Sequence, residues 1–368
     1  MTASKTWDYC EAMCSPVKGG LAAASSGEEP LTVCAPRLFL LPISSKPNSA
    51  VSCAIMKVMT TNAATPSRRR LFQRQEMERR ELTPREHKLL EHVARHRLIA
   101  SGDLALLDGG SPQNVLRLLR ELFDMGLVER PAFQVNNWAV AGPRPMIYGM
   151  TNKGVRLLHG RREEVDHSER NRRAGSVFVH HTAEIAAFFA RLEVGCRNRE
   201  DVNLLMQADI LAEAPEPTRL LREPTRIKGQ EDGSSARLPS TLIPDGMFAL
   251  EFADDTAAHF FLELDRGTMP VVRKGMDRTS FARKLQVYLD AWRAGVFEAQ
   301  FGVRHVRVLT VTPSPERVKT MIAAVKALTK GNGSGLFLFI DRGTLIKHGP
   351  LDVEWTDGTG KATKLTAE

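Results

Sequence analysis

Apolar residues recur at a helical period in three segments between residues 83 and 126, and two strand-like runs follow them. In the first segment Thr83 is placed to cap a helix, with Pro84 at its first position and Glu86 three residues after the cap. The stripe of the third segment comprises Val115, Leu118, Leu119, Leu122 and Phe123. The runs LVER and MIYGMT, joined by a loop rich in Pro and Asn, predict a hairpin. Three short helices followed by a hairpin are typical of a winged helix.

The polar side of the third predicted helix carries side chains suited to DNA, namely Gln113, Asn114, Arg117 and Arg120. Amides suit base edges, and guanidinium groups suit phosphates. In a winged helix this element would enter the major groove, and the loop from Pro131 to Pro145 would be the wing. Double-stranded DNA is therefore the favoured partner. The alternative is an interaction module, since such domains also bind proteins and arginines are common on helix surfaces.

The second half of the chain alternates between helical and strand-like patterns. The segment FVHHTAEIAAFFARLEVGC predicts a helix, NLLMQADIL a strand with some helix ambiguity, and DGMFALEF and HFFLELD two successive strands. A helix (RTSFARKLQVYLDAWRAG), a strand (HVRVLTVT), a helix (SPERVKTMIAAVKAL) and a strand (GLFLFID) follow. This order predicts an α/β (α+β) fold with a mixed sheet flanked by helices.

Composition shifts divide the chain into five parts. We predict an N-terminal extension that is disordered or a mis-assigned start (1–80), a winged-helix DNA-binding domain (81–160), a charged linker (161–175), a mixed-sheet domain (176–350) and a polar tail (351–368). Met56 and Met59 are plausible alternative starts.

Composition limits the classes of function. The net charge of +8 favours a polyanionic partner. No apolar run approaches the ~18 to 20 residues that span a bilayer. Four of the five cysteines lie in the first 53 residues, and the rest of the chain is typical of a reduced, cytoplasmic protein. Signatures of P-loop ATPases, dinucleotide-binding oxidoreductases, zincins and serine hydrolases are absent.

Acidic residues mark the ends of the two successive strands. Asp245 opens the first strand, and Glu263 and Asp265 close the second. If the strands pair as a hairpin, Asp245 and Glu263 become neighbours at one sheet edge, and alternation puts Asp265 on the face of Glu263. Asp245 and Glu263 would then suit Mg2+ or Mn2+, which can activate water and stabilise a phosphate. The plainer alternative is that these acids begin strands and shape turns.

Pro244-Asp245 followed by Glu263-x-Asp265 resembles the PD-(D/E)xK nucleases, which have a restriction-endonuclease-like fold. The family has lysine where this chain has Asp265, and Lys284 on the following helix is the best substitute, with Arg266 as a second possible cation. The resemblance implies Asp245, Glu263, Asp265 and Lys284 as catalytic residues, with Asp245 and Glu263 as metal ligands. Four further residues are secondary candidates: His180 and His181 beside the site, Glu184 as an added carboxylate, and Tyr288 as a packing or hydrogen-bonding group.

A narrower resemblance rests on the order MTNKG, HHTAEIAAFF, IPDGMFAL, FFLELDRGT and KLQVY over about residues 82 to 345. This order is similar to the replication-relaxation family of plasmids and mobile elements, some of which act as relaxases in plasmid mobilisation. The resemblance implies a Mg2+-dependent, relaxase-like DNA-nicking enzyme. The alternative is a non-catalytic replication or transcription regulator with an inactive nuclease-like scaffold. Mobilisation or replication proteins are possible further partners.

Overall fold

The computed structural model describes residues 72–75, 77, 80–134, 145–160, 165–228, 241–272 and 280–366. Nearly all of the predicted N-terminal extension, and most of the predicted wing between Pro131 and Pro145, lie outside the described residues. The winged helix therefore stays a prediction.

The first unit combines short helices with a small sheet. Its elements are α1 (Pro84–His96), β1 (Leu98–Ala100), α2 (Ser101–Asp108), α3 (Pro112–Asp124), β2 (Val128–Glu129), β3 (Ile147–Met150) and α4 (Asn152–His159). The strands form an antiparallel sheet in the order β1-β3-β2. The three predicted helices and the two predicted strands are all present, and β1 is an addition.

Helix α1 begins at the capping box expected from the sequence. The Thr83 hydroxyl accepts from the Glu86 amide at 3.3 Å, and Glu86 Oε2 accepts from the Thr83 amide at 2.8 Å. Arg80 Nη1 donates to the same carboxylate at 2.8 Å. This hydrogen bond from Arg80, aided by those from Thr83 and opposed by burial, lowers the pKa of Glu86 to about 2. The buried carboxylate thus fixes the start of the helix.

We expect Glu86→Gln to reduce the free energy of unfolding at pH 7 by about 2 kcal/mol, because the cap and the Arg80 ion pair are lost. The folded pKa lies below the ordinary 4.5, so this stabilisation is present above pH 4.5 and disappears toward pH 2. Urea unfolding across this range measures it. Glu91→Gln, at an exposed position of the same helix, is the control. A difference from wild type that stays constant down to pH 2 would contradict the assignment.

Part of the predicted linker is helical. Helix α5 (His167–Arg173) begins after Asp166, whose side chain accepts from the Glu169 amide. Asn171 is buried and donates to the Met150 carbonyl at 3.0 Å. Charge alone predicted a linker for 161–175, but the cap and this buried amide hold the segment against β3.

The second unit is built on a seven-stranded sheet. Its elements are α6 (Ser176–Arg197), β4 (Val202–Met206), α7 (Gln207–Glu213), α8 (Glu216–Arg219), β5 (Ile227–Lys228), β6 (Thr241–Leu242), β7 (Gly246–Phe252), β8 (Ala257–Leu264), α9 (Phe281–Arg293), α10 (Val296–Phe301), β9 (Val306–Thr312), α11 (Pro315–Leu328), β10 (Phe337–Asp341), α12 (Arg342–His348), β11 (Trp355–Asp357) and β12 (Ala362–Thr363). The strand order is β12-β11-β10-β9-β8-β7-β4, and β8, β9 and β10 run parallel to one another while the other pairs are antiparallel. The predicted mixed α/β fold is confirmed.

The described C-terminal residues, 351–366, contribute strands and buried side chains to the second unit, and the prediction of a polar tail over 351–368 is wrong for them. Strands β11 and β12 extend the sheet, and Trp355 is fully buried with its indole N–H donating to the Pro350 carbonyl at 3.1 Å. Leu351, Val353 and Trp355 alternate with polar residues, and all three are buried. This alternation was too short to stand out in a polar segment. The ambiguous run NLLMQADIL divides into β4 and α7.

Helix α6, 22 residues long, packs against both units. Its Ala186 and Ala190 belong to the core of the first unit, whereas Phe188, Phe189 and Leu192 pack against the large sheet. The opposite face of that sheet is covered by α9 and α11. Of the helices in the described ranges, none combines the length and apolar character needed to cross a membrane.

Candidate functional site

The antiparallel register of β7 and β8 brings the two predicted carboxylates together. Gly246 pairs with Leu262, so continuing the register by one residue places Asp245 opposite Glu263. The Leu264 amide donates to Asp245 Oδ2 at 2.8 Å, which fixes the carboxylate beside β8. Asp245 is 7% exposed and Glu263 is 1% exposed. The sequence-predicted neighbours therefore form a buried pair at one edge of the sheet.

The glycine after Asp245 lets α6 approach the start of β7. A Cβ at Gly246 would lie 2.8 Å from the Phe189 ring, closer than ordinary contact. A larger residue would push α6 away from the sheet edge. Since α6 carries His181, this close approach also places the histidine beside Asp245.

Helix α9 supplies two partners for Glu263. Lys284 Nζ lies 2.6 Å from Glu263 Oε2, and the Tyr288 hydroxyl donates to Oε1 at 2.8 Å. Lys284 and Tyr288 are four residues apart, so they lie on the same helix face. Lys284, the residue predicted to replace the missing motif lysine, does reach the carboxylate, and Tyr288 is buried as expected.

The charges of the pair shift one another's pKa. Burial raises the pKa of Glu263, the charge of Lys284 opposes this, and the charge of Asp245 adds to it. Burial lowers the pKa of Lys284, but the charges of Glu263 and Asp245 and the hydrogen bond to Glu263 outweigh burial, so that pKa is raised. Lys284 therefore stays an ammonium group. It can donate hydrogen bonds and stabilise negative charge, but it cannot act as a base while the pair is ionised.

His181 is the partner of Asp245. Its Nε2 lies 3.0 Å from Asp245 Oδ1. Burial raises the pKa of Asp245, but the hydrogen bond to His181 and the charges of Lys284 and His181 outweigh burial, so that pKa is lowered. Burial lowers the pKa of His181, but the hydrogen bond to Asp245 and its charge outweigh burial, so that pKa is raised. Sequence reasoning gave His181 little weight. The available signal was its helical phase, because it precedes Ile185 and Phe188 by four and seven residues on the face toward the sheet.

Asp265 faces a different cation. Arg317 of α11 forms a two-pronged contact with it, with Nη2 3.0 Å from Oδ1 and Nε on Oδ2. The Gly267 amide also donates to Oδ1 at 3.1 Å. Asp265 thus anchors α11 and shapes the turn after β8, and the expected cluster of three carboxylates is not formed. Across the described part of the chain, no three His, Cys, Asp or Glu side chains are grouped as metal ligands.

The other secondary candidates also have separate roles. Glu184 forms a two-pronged ion pair with Arg342 at 3.0 and 3.1 Å. Arg266 Nη1 donates to the Val177 carbonyl at 2.8 Å, and its Nε lies 3.8 Å from Glu184. Lys284 is therefore the cation paired with Glu263, and Arg266 is not.

Asp245 and Glu263 fit one particular kind of metal binding. Each oxygen of the pair already accepts at least one hydrogen bond, but a carboxylate oxygen has a second acceptor position. Mg2+ is commonly held by one or two carboxylates, with waters and substrate phosphate oxygens completing the shell. The two residues suit Mg2+ or Mn2+ bound in that way, and not a cation enclosed by protein ligands alone.

The predicted DNA-contacting residues lie along α3 but differ in exposure. Gln113, Asn114 and Arg117 are exposed, whereas Arg120 is partly buried. Arg117 pairs with Glu121 one turn away. Arg120 Nε lies 2.7 Å from Asp124, and its Nη2 donates to the Gln73 carbonyl at 3.0 Å. The exposed amides and Arg117 form the accessible part of this surface.

Comparison with known proteins identifies the family of this chain. A family model described as replication-relaxation matches residues 90–306, more than half of the chain. This chain belongs to the replication-relaxation family. The match covers the first unit from within α1, helix α6, both carboxylate-bearing strands and α9, and it associates this member of the family with plasmids and mobile elements. Searches of curated proteins and of solved structures each found no match.

We expect Lys284→Met to reduce the free energy of unfolding at neutral pH by about 3 kcal/mol, because it leaves Glu263 buried without its cation. The folded pKa of Glu263 is already raised, and loss of Lys284 raises it further. A raised carboxyl pKa means that stability is lost as pH increases from 4.5 through the folded pKa, so the deficit should grow in that direction. Denaturant unfolding from pH 5 to 8 measures it.

Two controls accompany this measurement. Lys319→Met removes an exposed lysine from α11 and should change little. The double variant Lys284→Met with Glu263→Gln should recover much of the lost stability, because position 263 is then uncharged and Asp245 keeps His181 as its partner. A deficit that is independent of pH, or no recovery in the double variant, would refute the pairing.

Proposed function

We propose that this replication-relaxation protein binds plasmid or mobile-element DNA in the cytoplasm and nicks it at the edge of the large sheet. The observation that carries the proposal is the 2.6 Å contact between Lys284 and Glu263 beside Asp245. The lysine missing from the strand is supplied from α9. Two carboxylates and one ammonium from three separate elements are thus gathered in one place, as phosphodiester chemistry needs.

The residues of the site have distinct chemical roles in this proposal. Lys284, held as a cation, donates to a phosphate oxygen and stabilises charge that develops there. Tyr288 and the Leu264 amide keep Glu263 and Asp245 in fixed orientations. His181, bonded to Asp245, provides a second donor on the α6 side of the pair. Asp265 contributes indirectly, because its ion pair with Arg317 positions α11.

Mg2+ or Mn2+ would be held by Asp245 and Glu263, and it would supply Lewis-acid stabilisation of the phosphate when bound. The donor chemistry of the two carboxylates supports this assignment. Lys284 would orient the DNA phosphate, while Tyr288 and the Leu264 amide would orient the two carboxylates.

The first unit would locate the DNA. Gln113, Asn114 and Arg117 present amide and guanidinium groups on the open side of α3. Those groups are complementary to base edges and phosphates of a major groove. The net charge of +8 supports association with duplex DNA.

Incubation of supercoiled plasmid carrying the cognate region with protein and Mg2+ tests nicking. We expect Asp245→Asn and Glu263→Gln each to slow nicking by at least ~100-fold, because each removes an ionised group from the site. The matched control is Asp254→Asn, in the exposed turn at the other end of the β7–β8 hairpin. Binding without metal-dependent nicking by the wild type would favour the non-catalytic regulator instead.

Recognition by α3 is tested by duplex binding across salt concentrations. Arg117→Gln should weaken binding to any duplex and reduce the salt slope by about 0.9, the value for one lost phosphate contact. Gln113→Ala and Asn114→Ala should alter preference among duplex sequences, by about 1–3 kcal/mol per lost base contact. The control is Arg304→Gln, which removes the same charge from an exposed position on the loop before β9. Unchanged binding in all three α3 variants would favour a protein-interaction role for the first unit.

A further inference from the structure

A cleft of about 1080 Å³ lies between the first unit and the large sheet, and it opens onto the candidate site. Its lining includes His96 and Arg97 at the end of α1, Phe178 and His181 on α6, and Asp245. The proposed function assigns a role to His181 and Asp245, but none to the residues from the end of α1.

Arg97 is a buried cation without a carboxylate partner among the described residues. It is 8% exposed, and its guanidinium lies over the Phe178 ring with Cζ 4.5 Å from the ring centroid. Its Nη1 is buried and has no hydrogen-bond partner within the described ranges. A buried charge is costly unless it is paired and hydrogen-bonded. The contact with Phe178 orients the guanidinium but leaves donors available.

The backbone of Arg97 is also strained. Its φ of 60° and ψ of −56° correspond to a conformation that side-chain-bearing residues rarely adopt. Such strain persists where the surrounding structure enforces it, and it concentrates at binding sites. Glycine would adopt this conformation more easily, so the arginine side chain is present at a cost to stability.

Arg97 is connected to the candidate site through Phe178, which lies about one helical turn before His181. It stacks on Phe178, and His181 follows three residues later on α6, a rise of about 4.5 Å. His181 in turn contacts Asp245. His96, the neighbour of Arg97, has a buried Nε2 that lacks a hydrogen-bond partner among the described residues. Arg97 and His96 thus each bring an unsatisfied polar atom to the cleft lining, and His181 Nδ1 is a third such atom among the described residues.

We propose that Arg97, assisted by His96, binds a backbone phosphate of a single DNA strand lying in this cleft, next to the phosphate at the carboxylate pair. The guanidinium provides two parallel donors for phosphate oxygens, and the Phe178 ring holds its plane. This inference rests on the proposed function for its ligand, and it deepens that function by assigning one strand to the cleft. Arg97 is a binding and positioning residue, not a catalytic one.

The test is binding of the full-length protein to a fluorescent single-stranded oligonucleotide, which has no major groove for α3. Arg97→Gly should weaken binding about ten-fold, because a charge-assisted hydrogen-bonded contact is lost. It should also reduce the salt slope by about 0.7, as expected for one phosphate of a single strand. The affinity of Arg97→Lys should lie between those of the wild type and Arg97→Gly, because lysine keeps the charge but loses the planar pair of donors. Arg304→Gln should behave like the wild type.

Thermal unfolding separates a binding role from a structural one. We expect Arg97→Gly to unfold at the same temperature as the wild type or higher, since strain and a buried charge are both removed. A lower unfolding temperature in both Arg97 variants, or wild-type oligonucleotide affinity in Arg97→Gly, would overturn the proposal. One further outcome would overturn it: inorganic phosphate stabilises the wild type but not the Arg97 variants, and oligonucleotide affinity is the same in all of them. Arg97 would then bind a free anion and not a DNA strand.

The nicking assay keeps this inference distinct from the proposed function. Arg97-dependent strand binding by a protein that fails to nick plasmid would support the phosphate site and reject the nicking activity. Nicking by the wild type together with undiminished strand binding by Arg97→Gly would reject the phosphate site alone.

Discussion

The antiparallel pairing of β7 with β8 in a single register determines the arrangement of charge at the edge of the sheet. A shift of one residue would move Glu263 away from Asp245 and turn it to the other face of the sheet. Packing on both faces of β8 opposes such a shift, because Phe260 is buried in one core and Phe261 in the other, and a shift would disrupt both cores. Apolar packing along the hairpin therefore fixes the carboxylates at its end.

Buried charge at this edge is balanced locally. Glu263 is paired with Lys284, Asp245 with His181, and Asp265 with Arg317, so each acid has its own basic partner from a different helix. The pairs differ in how accessible their basic partner is to a substrate. Arg317 occupies both oxygens of Asp265, whereas Lys284 is a third exposed and remains accessible to a substrate. Asp265 therefore holds α11 through Arg317, whereas the ammonium group beside Glu263 comes from α9.

The sequence predicted the hairpin, the facing carboxylates and the position of Lys284, because strand alternation and a four-residue helical spacing are local rules. The Arg317–Asp265 pair could not be predicted in this way, since 52 residues separate its members and only the parallel β8–β9 crossover brings them together. The role of Trp355 was missed for a similar reason: a three-residue strand is stabilised by its place in the sheet and has little pattern of its own. His181 was visible as a helical residue, but its partner depended on how closely α6 approaches Gly246.

Helix α6 packs against both units and connects them. Its small residues Ala186 and Ala190 let it lie against the first unit, while Phe188 and Phe189 on another side fill the core beneath β7. Interiors packed this closely transmit displacement rather than absorb it. A movement of the first unit relative to the sheet would therefore have to break one of these two contacts, and His181 would move with the helix. The position of the carboxylate pair is thus set relative to α3 as well as to its own sheet.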